Sequence, residues 1–286
     1  MLAAIADLEL VARVTVDGTI AGLHRSPFHG YSAEFSQYRQ YRPGDDLKYV
    51  DWKLFARTDR VYTKQYRETT NMVAQVAIDA SASMAYGGRA GVTKIDYARL
   101  LAAGLAHLVA TQGDAVGLVT FDEQLRTYLP ARSGPSHLRR VLVALSSLAA
   151  SGATSLSTPL RRAVDLMRRR GLLVLISDLY DEDASVESEL KRASRMGHEV
   201  ALFHVLTPEE VTFSVGGDVE LEDLESHARA MVGGATAAEY RAAFERFLSR
   251  WRERCATYGF SYTQVTTDMP LDQALRGYLL KRMRGL

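Results

Sequence analysis

Short apolar runs and amphipathic segments alternate along most of the chain. Four apolar runs predict buried strands: VAQVAID (73–79), DAVGLVTFD (114–122), LLVLISD (172–178) and EVALFHVL (199–206). Segments with helical periodicity lie between or after them, at 93–112, 136–149, 187–197, 236–257 and 271–283. Fully apolar strands that alternate with helices are typical of parallel sheets covered on both faces. The pattern therefore predicts an α/β fold with a doubly wound, mostly parallel sheet.

The first 70 residues differ from the rest of the chain in composition and in hydrophobic pattern. They are rich in Tyr, Arg, Asp and Gly. Pro43 and Gly44 suit a tight turn, and residues 60–66 alternate like a strand with one solvated face. We therefore expect a small β-rich appendage at 1–70 and a main domain at 71–286. Residues 209–233 interrupt the main domain with the pattern of an inserted hairpin.

The composition is that of a globular protein and argues against several classes of function. The 286 residues are 47% hydrophobic with a net charge of +1, so the chain as a whole has no electrostatic attraction to DNA or acidic membranes. Its single cysteine, Cys255, allows neither an internal disulfide nor a cysteine zinc cluster. No apolar run reaches the length of about 20 residues that a spanning helix needs. We expect a cytoplasmic protein with no membrane insertion.

Oxygen-bearing side chains follow two of the predicted strands. Asp79 ends the first strand and is followed by Ser81 and Ser83, while Asp178 ends the strand LLVLISD. Thr154 lies in the loop GATS, before another helix. Ligands of doubly wound folds bind at the carboxyl ends of strands, where we expect these residues to meet. In an extended loop, positions 79, 81 and 83 would point the same way.

Together these residues predict a divalent metal site. Carboxylates and hydroxyls are hard donors that suit Mg²⁺ or Mn²⁺, and no thiol or imidazole stands among them. A buried Asp79 would also need a counter-charge, because a desolvated carboxylate is costly. The structural alternative is that Asp79 and Ser83 only cap a loop or the start of a helix.

The order of these residues resembles the metal-ion-dependent adhesion site of von Willebrand factor type A domains. The resemblance rests on D-x-S-x-S at 79–83, then a Thr in a loop, then an Asp that ends a later strand. It implies a doubly wound sheet with one antiparallel edge strand. It also implies that an Asp or Glu of a partner protein completes the coordination of the ion. The ligands that it implies are Asp79, Ser81, Ser83, Thr154 and Asp178.

The segment 24–68 resembles the signature of a bacterial family known as domain of unknown function 58. The matching residues are Gly30, Glu34, Phe35, Arg39, Tyr41, Pro43, Gly44, Asp45, Asp46, Asp51, Trp52, Ala56 and Arg57. Members are usually encoded beside MoxR-type AAA+ ATPases and are associated with them in protein assembly or maturation. The resemblance implies a metal-dependent adaptor or chaperone-like role, with such an ATPase or its client protein as the partner.

Two other functions remain open at the level of the sequence. Two carboxylates and an ion at a strand end would suit a Mg²⁺-dependent phosphohydrolase, but no His or Lys stands next to the cluster in the sequence. The appendage would suit nucleic-acid binding, since residues 39–67 carry eight Lys or Arg against four Asp. Residues 1–70 as a whole have a net charge of only +1, so we expect no nucleic-acid partner.

Overall fold

The computed structural model divides the chain into two compact units. One is Phe28–Met72, and the other combines Met1–Pro27 with Val73–Leu286. The residues that the structure describes are 2–20, 32–69, 72–89, 91–152, 155–180, 184–213, 219–222, 224, 229–232 and 234–283.

Helix α1 (Leu2–Ile20) belongs to the larger unit and not to the β-rich one. It packs against three later helices: Lys94–Thr111, Pro135–Ser146 and Leu271–Met283. Its buried side chains recur every three or four positions and so lie on one helical face: Leu8, Ala12, Val16 and Thr19. The prediction that 1–70 forms one β-rich appendage is therefore wrong at its N-terminal end, because this apolar face needs the main domain to cover it.

The small unit is built on an antiparallel pair, β1 (Ser32–Gln40) and β2 (Tyr62–Thr69), with helix α2 (Trp52–Thr58) between them. The strand expected at 60–66 is confirmed within β2. The expected turn is present too, with the Asp45 N–H donating to the Arg42 carbonyl at 3.0 Å. Helix α2 is a feature that the alternating pattern did not predict. It begins where the Asp51 side chain accepts hydrogen bonds from the backbone N–H groups of Lys53 and Leu54.

A six-stranded sheet forms the centre of the larger unit. Its strands are β3 (Val73–Asp79), β4 (Ala115–Phe121), β5 (Leu125–Arg132), β6 (Leu172–Ser177), β7 (Glu199–Leu206) and β10 (Ser261–Thr266). Their order across the sheet is β10-β7-β6-β3-β4-β5. Neighbouring strands are parallel except β5, which pairs antiparallel with β4 at the edge. The expected doubly wound, mostly parallel sheet with one antiparallel edge strand is confirmed. The same unit also contains β8 (Val219–Glu222) and β9 (Arg229–Val232), which lie outside this sheet.

Helices cover both faces of this sheet. Together with α1, the helices of this unit are α3 (Lys94–Thr111), α4 (Pro135–Ser146), α5 (Ser157–Asp165), α6 (Ala184–Arg195), α7 (Pro208–Thr212), α8 (Gly234–Tyr258) and α9 (Leu271–Met283). Helices α1, α3, α4 and α9 pack together on one side, and α5, α6 and α8 share a core on the other. Cys255 of α8 is buried in that second core as a free thiol. None of the helices in the described part of the chain is long and apolar enough to cross a membrane.

The insertion expected at 209–233 is an antiparallel hairpin of β8 and β9 in its described part. Helix α7 leads into it and begins with a capping box: the Thr207 hydroxyl accepts the Glu210 N–H, and the Glu210 carboxylate accepts the Thr207 N–H. This cap fixes the direction of the Glu210 side chain at the point where the insertion leaves the sheet. Its other carboxylate oxygen takes part in the candidate site.

Candidate metal centre

The strand ends bring Asp79 and Asp178 together. Strands β3 and β6 are adjacent and parallel, with Ile78 opposite Ile176, so both aspartates emerge at the same carboxyl edge of the sheet. Both are fully buried. Ser177 joins the two strand ends, because its hydroxyl donates to Asp79 Oδ2 at 2.7 Å. The sequence motif did not include Ser177, although this polar residue at the end of the otherwise apolar run LLVLIS was a usable signal.

The two serines of the D-x-S-x-S segment face each other beside Asp79. The Ser81 N–H donates to Asp79 Oδ1 at 2.9 Å, and the hydroxyl oxygens of Ser81 and Ser83 are 3.0 Å apart. The loop is not extended as expected, since Ala82–Ala85 form a turn of 3₁₀ helix. Ser81 precedes that turn, but its side chain makes no capping hydrogen bond. Its hydroxyl instead faces that of Ser83 at the strand end.

The loop that carries Thr154 is attached to the same place. The Ser151 N–H donates to the Ala80 carbonyl at 2.8 Å, and the Ala82 N–H donates to the Gly152 carbonyl at 2.9 Å. Gly152 has a φ of +81°, and a Cβ there would lie 2.8 Å from an Asp122 carboxylate oxygen, so only glycine fits. Thr154 itself lies outside the described residues. Its loop is nevertheless anchored against D-x-S-x-S two residues earlier.

A strained turn follows Asp178. Leu179 is buried and has a φ of +57°, a left-handed conformation that costs a bulky residue on the order of 1–3 kcal/mol. Two hydrogen bonds hold it: the Leu179 N–H donates to Ser177 Oγ at 2.9 Å, and His204 Nε2 donates to the Asp178 carbonyl at 2.8 Å. Such strain is retained where the surroundings fix a functional side chain, and here it fixes the direction of Asp178.

A buried lysine completes the cluster. Lys94, the first residue of α3, is 1% exposed, and its Nζ lies 2.7 Å from Asp178 Oδ2 and 2.8 Å from Glu210 Oε1. The Tyr180 hydroxyl also donates to Glu210 Oε1, at 3.1 Å. No local pattern joins Lys94 to Asp178, because 84 positions separate them. The one available signal was a lysine in the first turn of a helix, where the dipole disfavours positive charge.

The cluster contains more carboxyl groups than cationic side chains. Burial, together with the negative charge of Asp178, raises the pKa of Asp79 to about 7. Burial alone would lower the pKa of Lys94, but the charges of Asp178 and Glu210 outweigh it and raise that pKa, so Lys94 stays protonated. The cluster thus holds three carboxyl groups and one ammonium, and within the described residues Asp79 forms no ion pair. A divalent cation beside Asp79 would favour its ionised form.

The residues present fit such an ion. In the described part of the chain, no three His, Cys, Asp or Glu side chains form a group that could hold a metal. An ion here would therefore depend on hydroxyls as well as carboxylates. Asp79, Ser81 and Ser83 converge at one strand end, with Asp178 beside them, and all offer hard oxygen donors. An ion held by neutral hydroxyls and few carboxylates would keep positive charge available for a further anionic ligand.

The contacts of Lys94 bear on the phosphohydrolase hypothesis. The sequence places no lysine next to the cluster, yet folding brings Lys94 onto Asp178. Held in its charged form by two carboxylates, Lys94 cannot accept a proton as a general base would. His204 is also engaged: burial lowers its pKa to about 4, and its second nitrogen accepts from the Tyr262 hydroxyl at 2.7 Å. Neither residue can act as the general base that a phosphohydrolase would need at this cluster.

The signature residues of the small unit form local ion pairs. Arg39 lies 2.7 Å from Asp45, Lys48 lies 2.8 Å from Asp46, and Lys64 lies 3.1 Å from Asp51. Asp46 and Asp51 also cap the turns that follow them. Three of the basic residues that suggested nucleic-acid binding therefore have acidic partners within the unit.

Solved structures similar to this chain include BatB from Bacteroides thetaiotaomicron and the VWA domain of SpRpn10. BatB is 16% identical, the match covers 74% of this chain and 99% of that one, and the TM-score is 0.47. The SpRpn10 domain is 11% identical, with 72% of this chain and 94% of that one covered and a TM-score of 0.46. Since both scores are low, the strand order and strand directions of this protein, not these likenesses, define its fold.

Several curated proteins are related in sequence. Rv1480 of Mycobacterium tuberculosis, an uncharacterized protein, is 31% identical over 230 residues, which are 79% of this chain and 71% of that protein. Mb1516 of Mycobacterium bovis matches to the same extent. YeaD of Bacillus subtilis is 26% identical over 118 residues, 41% of this chain and 27% of that protein. Residues 37–254 match the family described as "Protein of unknown function DUF58". The chain therefore belongs to the DUF58 family.

Proposed function

We propose that this protein binds a partner protein through a divalent metal ion, Mg²⁺ or Mn²⁺, held at the carboxyl edge of its sheet. Asp79, Ser81, Ser83, Thr154 and Asp178 would hold the ion. The observation that carries the proposal is the environment of Asp79. Its carboxylate is fully buried, lies beside Asp178 and forms no ion pair in the described part of the chain. A divalent cation would relieve both the desolvation and the repulsion.

The ion supplies one thing when bound: a positive charge that an external carboxylate can contact. The chain's own residues supply the geometry. Ser177 and the Ser81 N–H orient Asp79, and Lys94 orients Asp178. An Asp or Glu of the partner would complete the coordination, and the loops around the strand ends would select the partner.

We base the choice of partner on the resemblance of the segment 24–68 described above. We infer an adaptor or chaperone-like role beside a MoxR-type AAA+ ATPase, in which either the ATPase or its client presents the carboxylate. The binding would then be reversible by chelation. It would also depend on one charged residue, Asp79, that contributes nothing to the surface of the protein alone.

The test is a binding measurement between the immobilised protein and the MoxR-type ATPase of the same organism. We expect binding in Mg²⁺ and its loss in EDTA or with Asp79→Asn. Asp114→Asn is the matched control, because Asp114 is equally buried but precedes β4, at the opposite end of the sheet. Binding that survives both EDTA and Asp79→Asn would contradict the metal bridge. No binding in any condition would contradict the choice of the ATPase as partner.

A further inference from the structure

Lys94 occupies an unfavourable position for a lysine. It is buried, and it is the first residue of α3, where the helix dipole repels a positive charge. Two carboxylates and the ring of Tyr180, whose centroid is 4.7 Å from Nζ, compensate for this cost. A well-packed apolar residue could replace a buried ion pair with little loss of stability. The placement of this charge beside Asp178 therefore suggests a role other than stability.

The two carboxylates that hold Lys94 are not equivalent. Glu210 is fully engaged in the fold: Oε1 accepts from Lys94 and Tyr180, and Oε2 accepts from the Thr207 N–H at 2.6 Å. Asp178 is also a predicted ligand of the metal ion. Among the described residues it accepts from Lys94 and, in a long contact of 3.4 Å, from the Tyr180 N–H. Lys94 and a divalent ion would therefore share one carboxylate, with Glu210 keeping the ammonium in place.

The charge of Lys94 should lower the affinity of the site for a divalent ion. A fixed positive charge near the ion, in a site with little water, repels the ion and weakens its binding. Glu210 acts in the opposite sense, because it partly neutralises Lys94 and adds a negative charge at a longer distance from the ion. The ion affinity of the chain alone is then set by the balance between these two buried residues.

We propose that Lys94 tunes this site to hold its divalent ion weakly until a partner carboxylate adds its charge. The inference rests on the proposed function and states how ion and partner depend on each other. Because binding free energies are reciprocal, a partner that tightens the ion must itself be bound more tightly when the ion is present. Lys94 is thus a residue that sets affinity by position and charge, and it does not coordinate the ion.

The experiment measures the dissociation constant of Mn²⁺ for the full chain, by electron paramagnetic resonance of the free ion. Lys94→Met, which keeps the length of the side chain and removes its charge, should bind Mn²⁺ about tenfold or more tightly than the wild type. Glu210→Gln should bind it more weakly, by a similar factor. Lys94→Arg, which keeps the charge, should stay close to the wild type.

Lys94→Met and Glu210→Gln should change the Mn²⁺ affinity in opposite directions, and this difference separates a charge effect from a loss of structure. A variant that merely loosens the fold would weaken ion binding in both cases. Lys94→Met leaves two buried carboxylates without a cation, so circular dichroism must show that it folds. If it does not fold, Glu210→Gln alone still decides the question, because unchanged or tighter binding contradicts the inference.

The failure of this inference is distinguishable from the failure of the proposed function. If the wild type binds Mn²⁺ through Asp79 but Lys94→Met does not bind it more tightly, only the role of Lys94 is wrong. If Lys94→Met binds Mn²⁺ at millimolar concentration and the wild type does not, the tuning is supported. If neither binds, the metal site itself is contradicted.

Discussion

Asp51 in the small unit and Asp79 at the end of β3 are both shielded from solvent, but their carboxylates have opposite surroundings. Asp51 accepts from the backbone N–H groups of Lys53 and Leu54 and from the Tyr38 hydroxyl, and it pairs with the Lys64 ammonium. The Leu54 N–H, the Tyr38 hydroxyl and Lys64 lower the pKa of Asp51 to about 2. This carboxylate has both its donors and its cation within the chain.

Asp79 has hydrogen-bond donors, but no cationic side chain pairs with it in the part of the chain that the structure describes. Ser81 and Ser177 donate to its two oxygens, yet burial and the charge of Asp178 move its pKa upward. The nearest ammonium of the cluster, that of Lys94, is paired with Asp178 and Glu210. The comparison separates two uses of a buried aspartate. Asp51, which stabilises the fold, is supplied with a counter-charge, whereas Asp79, which we propose binds a metal ion, has none among the described residues.

The largest expected effect on stability comes from Lys94→Met. Removing one member of a buried ion pair leaves uncompensated charge, here on Asp178 and Glu210, and costs about 3–5 kcal/mol of unfolding free energy. Urea unfolding in EDTA measures this loss. Added Mg²⁺ should recover part of it, because the ion replaces the missing positive charge. A variant as stable as the wild type in EDTA would show that Lys94 does not neutralise the cluster.

A smaller effect is expected from Ser177→Ala. The change removes a hydroxyl donor from the carboxylate of Asp79 and an acceptor from the Leu179 N–H. A hydrogen bond to a charged group contributes about 1.5–3 kcal/mol, so the unfolding free energy should fall by that order. The denaturant midpoint should shift with an unchanged slope. Unaltered stability would mean that Ser177 does not support Asp79.

The two aspartates should respond to pH with opposite signs. The raised pKa of Asp79 means that the native state binds the proton more tightly, so in EDTA stability should fall as the pH rises from about 4 to about 7. The lowered pKa of Asp51 means that its stabilisation is present above about pH 4 and is lost as the pH falls towards 2. Unfolding of the wild type, Asp79→Asn and Asp51→Asn across this range measures both, and the same sign for both would contradict the comparison.

The smallest effect is expected from Asp51→Ala, and it should be confined to the small unit. The change removes the cap of α2 and the partner of Lys64, so the amide protons of Trp52–Thr58 should exchange faster. Ion binding at Asp79 should not change, because Asp51 already has its cation within the chain. Altered Mn²⁺ binding in this variant would show that the two aspartates do not act independently.

Much of the larger unit could be predicted because its signals are local. Each apolar run became a strand of the central sheet, and α3 begins and ends as expected, with the Thr93 hydroxyl accepting the Asp96 N–H and Gly113 at a φ of +79°. The positions of Asp79 and Asp178 followed from the rule that parallel strands end at one edge. Helix α1 was assigned to the wrong unit, although the spacing of its buried residues was present in the sequence.

The remaining parts of the site depend on distant pairs. Lys94 and Glu210 are 116 positions apart, and Ser177 and Asp79 are 98 apart, so no window of the sequence contains both partners. The turn of 3₁₀ helix after Ser81 also had no local signal, since its backbone is held by Ser151 and Gly152 of another loop. Those contacts form only when the sheet brings the strand ends together.

The most direct test of the central claim is the thermal midpoint of the protein in EDTA and in Mg²⁺, for the wild type and for Asp79→Asn. An ion at about 100 times its dissociation constant should stabilise the wild type by ~2.7 kcal/mol, a rise on the order of 5–10 °C. Asp79→Asn should be more stable than the wild type in EDTA, because it buries no charge, and should gain nothing from Mg²⁺. An equal rise in both proteins, or none in the wild type at saturating Mg²⁺, would contradict the proposal that Asp79 binds the metal ion.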